Sequence, residues 1–271
     1  MPRTLAAGEE KKPRRWRALR VGAINEMECE GTKWFFYLPS QLKRDKRRPL
    51  PVVVSVHGAG SELEGARGCA QAFVDFAERR RVAVIAPFFI DNHPHFQYLS
   101  IGGNRADLRL LEILEDAKAR VPILYIKRVY LFGHSGGGQF AHRFALVHPH
   151  RILKGGASAA GGYTFPKPDL TYPGGTQKRR HPLPEFQFAK FVQLPFAILV
   201  GDQDTGQLQD NELPNGQNRF ERARNFYATL KDYARERKLP FRLLYQVHAG
   251  RDHSCFGTSA RWVIRNVFEK R

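Results

Sequence analysis

The chain has 271 residues, 42% of them hydrophobic and 12% aromatic, enough apolar material for one sizeable core without division into two domains. Lys and Arg number 44 against 26 Asp and Glu, a formal net charge of +18 that gives the surface a potential attractive to anionic ligands or anionic surfaces. No apolar run approaches the roughly 20 residues that span a bilayer, which argues against a transmembrane segment, and the three cysteines (Cys29, Cys69 and Cys255) are too few and too scattered for a disulfide framework or a zinc site.

The start, Met1 to Arg17, is rich in Lys and Arg without the apolar centre of a signal peptide, and is expected to be a solvated tail. A leader removed earlier would leave no trace, so location stays open, with the cytoplasm as the default. Residues 18–271 are then expected to form a single domain. The other basic clusters (Lys43 to Arg48, Arg79 to Arg81, Lys178 to His181, Arg219 to Arg224) belong to no helix-turn-helix, finger or RNA-binding signature, which leaves no specific nucleic-acid motif.

Thr32 to Leu38 reads as a strand ending at Pro39, and Val52 to Val56 is a short β-branched run of the kind found in a buried, parallel strand. A helix over Ala66 to Arg80, a strand over Val82 to Ala86, a helix over Ala106 to Ala119 and a strand over Arg128 to Phe132 follow. Beyond them the pattern predicts a helix over Gln139 to Val147, strands over Ile152 to Ala157, Phe196 to Val200 and Phe241 to Val247, and helices near Phe220 to Arg237 and Ala260 to Phe268. This alternation predicts an α/β fold, a mostly parallel central sheet with helices on both faces.

In such sheets ligands gather at the carboxyl ends of the strands, and four of those ends carry polar signals. Gly133-His134-Ser135-Gly136-Gly137 lies between a strand and a helix, the context of a nucleophile elbow, which would project the Ser135 hydroxyl clear of the sheet. His57-Gly58-Ala59-Gly60 follows the Val52 to Val56 strand. Its small residues let backbone N–H groups face an oxyanion, so Ala59 and Gly136 are the expected pair of donors. Gly201-Asp202-Gln203-Asp204 offers a carboxylate to orient a histidine, with Asp204 chosen and Asp202 kept as the alternative that braces the turn. In the loop His248 to Ser254, His253 is chosen as general base, whereas His248 belongs to the strand end.

Two long insertions, Phe88 to Asn104 and Tyr163 to Gln193, leave from strand ends and are expected to set specificity. Phe88 and Phe89, with His93, His95, Phe96 and Tyr98, would line an apolar pocket; Tyr163 is expected to contribute from the second insertion, and Gly58 and His134 from beside the elbow. His93 and His95 offer two ligands and no third, so no metal site is expected. The second insertion reads as a flap or a solvated loop whose basic rim is Lys178 to His181.

The order Ser135, Asp204, His253 is the order of an α/β-hydrolase triad. With Val56-His57-Gly58, the elbow through Gly138, and His148-Pro149 after the elbow helix, the chain resembles the α/β-hydrolase superfamily over roughly Thr32 to Phe268. Within it the sequence is most similar to the polyhydroxybutyrate depolymerase and feruloyl esterase-like branch. The resemblance implies a serine hydrolase of small-molecule or polymeric carboxylic esters, with Ser135 as nucleophile, His253 as base and Asp204 as orienter. It implies no metal or organic cofactor. A serine peptidase on the same scaffold and a noncatalytic basic binding protein are the alternatives.

Overall fold

The computed structural model describes residues 19–43, 47–99, 105–177, 185–208 and 215–270. The basic start Met1 to Arg17 and the rim Lys178 to His181 lie outside them.

Eight strands among these residues form one sheet. They are β1 (Ile24–Cys29), β2 (Thr32–Tyr37), β3 (Leu50–Val56), β4 (Ala83–Pro87), β5 (Leu124–His134), β6 (Ile152–Ser158), β7 (Phe196–Gly201) and β8 (Leu244–His248). Their order is β1-β2-β4-β3-β5-β6-β7-β8, parallel from β4 to β8, with β2 antiparallel to both its neighbours. The chain runs outward from β3 to β4, then returns to lay β5 on the other side of β3. That reversal opens a crevice between the carboxyl ends of β3 and β5, where ligands bind in open α/β sheets.

Alternate strand residues feed two apolar layers. Val52, Val54 and Val56 pack with α3 (Ala106–Arg120), α4 (Gly136–Val147) and α6 (Arg219–Glu236), while Val53, Phe35 and Phe132 pack with α1 (Leu63–Gln71), α2 (Val74–Arg80) and α7 (Phe256–Val263). A four-residue helical turn, α5 (Phe188–Phe191), joins the first layer. Among the described residues no helix is long and apolar enough to cross a membrane.

Three elements differ from the expectations. The helix expected over Ala66 to Arg80 is two helices, broken so that fully buried Phe73 meets the rings of Phe132 and Phe268. The C-terminal helix begins earlier, at Phe256, and ends in a π-helical turn over Ile264–Phe268 that buries Ile264, Val267 and Phe268. The edge strand β1 carries Asn25, Glu26 and Glu28 and no apolar run, so it is visible only through its antiparallel pairing with β2.

The described part of the second insertion is packed, not a solvated flap. Arg143, fully buried on α4, donates to Gln97 O at 2.8 Å in the first insertion, to Thr164 Oγ1 at 2.9 Å in the second, and to Gln139 Oε1 at 3.1 Å on its own helix. Its guanidinium also lies 5.4 Å from the Tyr98 ring centre and 5.9 Å from that of Tyr172. One cation thus ties both insertions to the helix that follows the elbow. Arg143→Met keeps the apolar stem but strands these acceptors, and is expected to lower the unfolding free energy by about 2–4 kcal/mol in urea titrations.

Candidate functional site

The elbow joins β5 to α4, and Ser135 at its apex has φ 55° and ψ −118°, a conformation that costs a non-glycine residue of order 1–3 kcal/mol. The strain is held from several sides. The Ser135 N–H donates to Ser158 O on β6 at 2.8 Å, and its carbonyl accepts from Gln139 N–H at 3.0 Å. At Gly136 a Cβ would come within 2.5 Å of the Ala59 nitrogen, so only glycine lets the loop after β3 lie this close to the elbow.

That closeness brings two backbone amides together. Gly136 is the first residue of α4, where an N–H has no intrahelical acceptor. Ala59 is the second residue of a turn closed by Ser61 N–H to Gly58 O at 3.3 Å, with Gly60 at φ +73°, which leaves the Ala59 N–H outside the turn's own bond. Among the described residues neither amide has an acceptor. Gly58 lies against the elbow, its missing Cβ 3.5 Å from Ser135 Cβ.

His253 Nε2 is 3.0 Å from Ser135 Oγ, and its Nδ1 is 2.9 Å from Asp204 Oδ2. Asp204 is 3% exposed, and its other oxygen lies 3.4 Å from Arg219 Nη1. The geometry separates the two aspartates: Asp202 Oδ1 accepts the Gly250 N–H at 2.8 Å and braces the histidine loop. His248 points behind the site, 3.0 Å from Ser259 Oγ.

Three imidazoles, those of His57 and His142 buried and that of His134 partly so, connect this site to its surroundings. His57 donates from Nδ1 to Gly58 O at 2.7 Å and accepts the Phe89 N–H at Nε2, 3.1 Å away, joining the Ala59 loop to the first insertion. His142 donates from Nδ1 to Gly138 O at 3.0 Å and accepts the Thr164 N–H at 3.2 Å, joining α4 to the second. His134 bonds through Nδ1 to Ser158 Oγ at 3.1 Å, and its ring centre lies 5.1 Å from that of His253. Burial holds the pKa of His57 and of His134 down to about 4 and that of His142 well below the ordinary value, so these rings stay neutral.

The expected pocket aromatics do not all reach a surface. Phe89 is 0% exposed, stacked on Phe96 and beside Phe140; Tyr163 is 0% exposed, stacked on Phe226 and facing His142. Both serve as core because the insertions fold back on α4, so neither offers a contact surface to substrate. Phe88 is 6% exposed, its ring 5.5 Å from that of His57, and His134 faces His253 and Ser158. Among the described residues no group of three His, Cys, Asp or Glu side chains is placed to hold a metal.

Arg143, His142, Ser158 and Ser259 are absent from the sequence expectations, and Arg219 appears there only as the start of a basic cluster. Charged or imidazole side chains inside the apolar helix α4 were the available signal for the first two, since such residues are buried only with partners.

No known family model matches the sequence, and no curated protein does. Solved structures do match. The chain is similar to poly(aspartic acid) hydrolase-1 from Sphingomonas sp. KT-1, with TM-score 0.76 and 21% identity over 93% of this chain and 100% of the other. It is similar to LpqC, a poly(3-hydroxybutyrate) depolymerase from Bordetella parapertussis, with TM-score 0.72 and 25% identity over 89% of each chain. The chain has the α/β-hydrolase fold. A third structure of this α/β-hydrolase type, an S-formylglutathione hydrolase from Agrobacterium tumefaciens, is similar with TM-score 0.58 and 16% identity over 90% of this chain and 94% of the other.

The depressed histidines set an acid limit on stability. Unfolded imidazoles take up protons below about pH 6.5, whereas folded His57 and His134 resist down to about pH 4, so stability is full above about 6.5 and is lost as pH falls toward 4. Each ring contributes up to about 3 kcal/mol of that loss. His57→Gln can make the same donor and acceptor bonds without titrating, and is expected to flatten the fall in Tm between pH 7 and 4.5.

Proposed function

We propose that the protein is a serine hydrolase of carboxylic esters, with Ser135 as nucleophile, His253 as general base and acid, Asp204 as its orienter, and the Ala59 and Gly136 amides as oxyanion donors. The observation that carries the reading is the bonded run from Asp204 Oδ2 through both nitrogens of His253 to Ser135 Oγ, beside the Ala59 and Gly136 amides, which have no acceptor among the described residues. The similarity to a depolymerase of a polyester supports an ester as the scissile group.

The chemistry follows from the geometry. His253 Nε2 takes the Ser135 proton as Oγ attacks the ester carbonyl, and Asp204 holds Nδ1–H and stabilises the imidazolium that forms. Negative charge develops on the carbonyl oxygen between the two amides, which are already oriented because the turn and the helix leave them free. His253 then returns the proton to the departing alcohol. Water repeats the two steps on the acyl-enzyme, releasing the acid. Arg219 beside Asp204 Oδ1 leaves Oδ2 as the oxygen that serves the histidine.

Two measurements test the reading. Ser135→Ala is expected to lower kcat on p-nitrophenyl esters of graded acyl length by about 10⁴-fold or more, and equal turnover by variant and wild type would exclude the serine mechanism. Gly136→Ala forces its Cβ toward the Ala59 nitrogen and displaces that donor. It is expected to cost about 10²–10³-fold in kcat, with a circular dichroism spectrum like that of the wild type.

A further inference from the structure

Behind the candidate triad runs a second bonded series that the mechanism above does not use. His134 Nδ1 lies 3.1 Å from Ser158 Oγ, Ser158 Oγ shares a hydrogen bond with Ser259 Oγ at 2.8 Å, and Ser259 Oγ lies 3.0 Å from His248 Nε2. Ser158 and Ser259 are both 0% exposed, and His248 is 6% exposed. The buried Cys255 Sγ sits beside the two hydroxyls, at 3.8 and 3.7 Å.

The two ends of the series meet the same loop. His248 closes β8 and begins the loop that carries His253; its carbonyl accepts the N–H groups of Asp202 and Arg251. At the other end His134 packs ring to ring against the His253 imidazole, the two centres 5.1 Å apart. Four side chains from the elbow, β6, α7 and β8 therefore close a ring through both ends of a six-residue loop, residues 248–253.

The composition of this ring is hard to explain by packing. A buried hydroxyl packs no better than a methyl group and must be hydrogen-bonded to be tolerated. In the layer between the sheet and α7, Leu199, Ala260 and Val263 are apolar and fully or nearly fully buried, as an ordinary core there would be. Serine at 158 and 259 is offset by bonds to the two histidines, to each other and, more weakly, to Cys255 Sγ.

We propose that His134, Ser158, Ser259 and His248 form a clamp that fixes the reach of His253 to Ser135, which makes Ser158 and Ser259 positioning residues for a reaction neither touches. The proposal rests on the hydrolase reading. Reacting groups held in line lose about 10²-fold in rate for a displacement of about 1 Å, which sets the size of the effect. Because the ring acts as one unit, breaking it at a second place should add little to breaking it once.

The experiment compares wild type, Ser158→Ala, Ser259→Ala and the double variant. Ser259→Ala adds no volume to α7 and is expected to fold. Two quantities are read: kcat and KM on a p-nitrophenyl ester, and the low-field imidazole N–H resonance of His253 bonded to Asp204. The expected result is a fall in kcat of about 10–100-fold with KM within about twofold, a double variant no worse than the worse single one, and a broadened or lost resonance. A kcat within twofold of wild type in Ser259→Ala with the resonance intact overturns the clamp, as do losses that multiply in the double variant. The resonance does not depend on turnover. A wild type inactive toward esters with a clamp-sensitive resonance would therefore sink the hydrolase reading and leave the positioning intact.

Discussion

The backbone at Ser135 is held where a side chain is unwelcome, and the rest of the site is arranged around keeping it there. At φ 55° the serine would relax if the elbow could move. It cannot, because the Ala59 loop lies against Gly136, the Ser135 N–H is bonded to β6, and α4 is fastened through Arg143 to both insertions. Strain of this kind persists only where neighbours over-determine the conformation, and here those neighbours are the elements that carry the rest of the candidate site.

Neutral imidazoles do much of the fastening. A ring with one N–H and one bare nitrogen can donate to a carbonyl and accept from an amide at once, bridging two backbone segments that have no strand or helix in common. His57 and His142 each do this between the elbow region and an insertion. Protonation would turn the accepting nitrogen into a second donor facing an N–H, so the low pKa values and the architecture are two aspects of one arrangement. Arg143 serves as a permanent cation in the same role, its donors spread over carbonyl and hydroxyl oxygens.

What could be read from the sequence followed from period and punctuation. The β-branched run at Val52 to Val56 and the Gly-rich turn at Ser135 specify their own local structure, so β3, the elbow and α4 were legible, and the loops after two later strands bring Asp204 and His253 together beside that elbow. The edge strand β1 was not, because its residues gain nothing until β2 lies beside them. Phe89 and Tyr163 misled for a related reason: an aromatic residue in an insertion reads alike whether it walls a pocket or fills the core, and only the fold-back onto α4 decides. Ser158 and Ser259 were silent because a small polar residue shows its purpose only through partners about a hundred residues away.

The pairing of Val56 with Gly133 in adjacent parallel strands bears on how such a protein can change. Ala59 and Gly136 each follow one of these paired positions by three residues, so the gap between their amides inherits its length from the spacing of two strands, about 4.8 Å in any sheet. That ruler belongs to the backbone of the two strands, whereas the insertions are fastened to it by side chains, through Arg143 and His142 on α4 and His57 beside the Ala59 loop. Loops can therefore lengthen, shorten or trade aromatic residues for charged ones over evolutionary time while the distance that matters to a developing oxyanion stays the same.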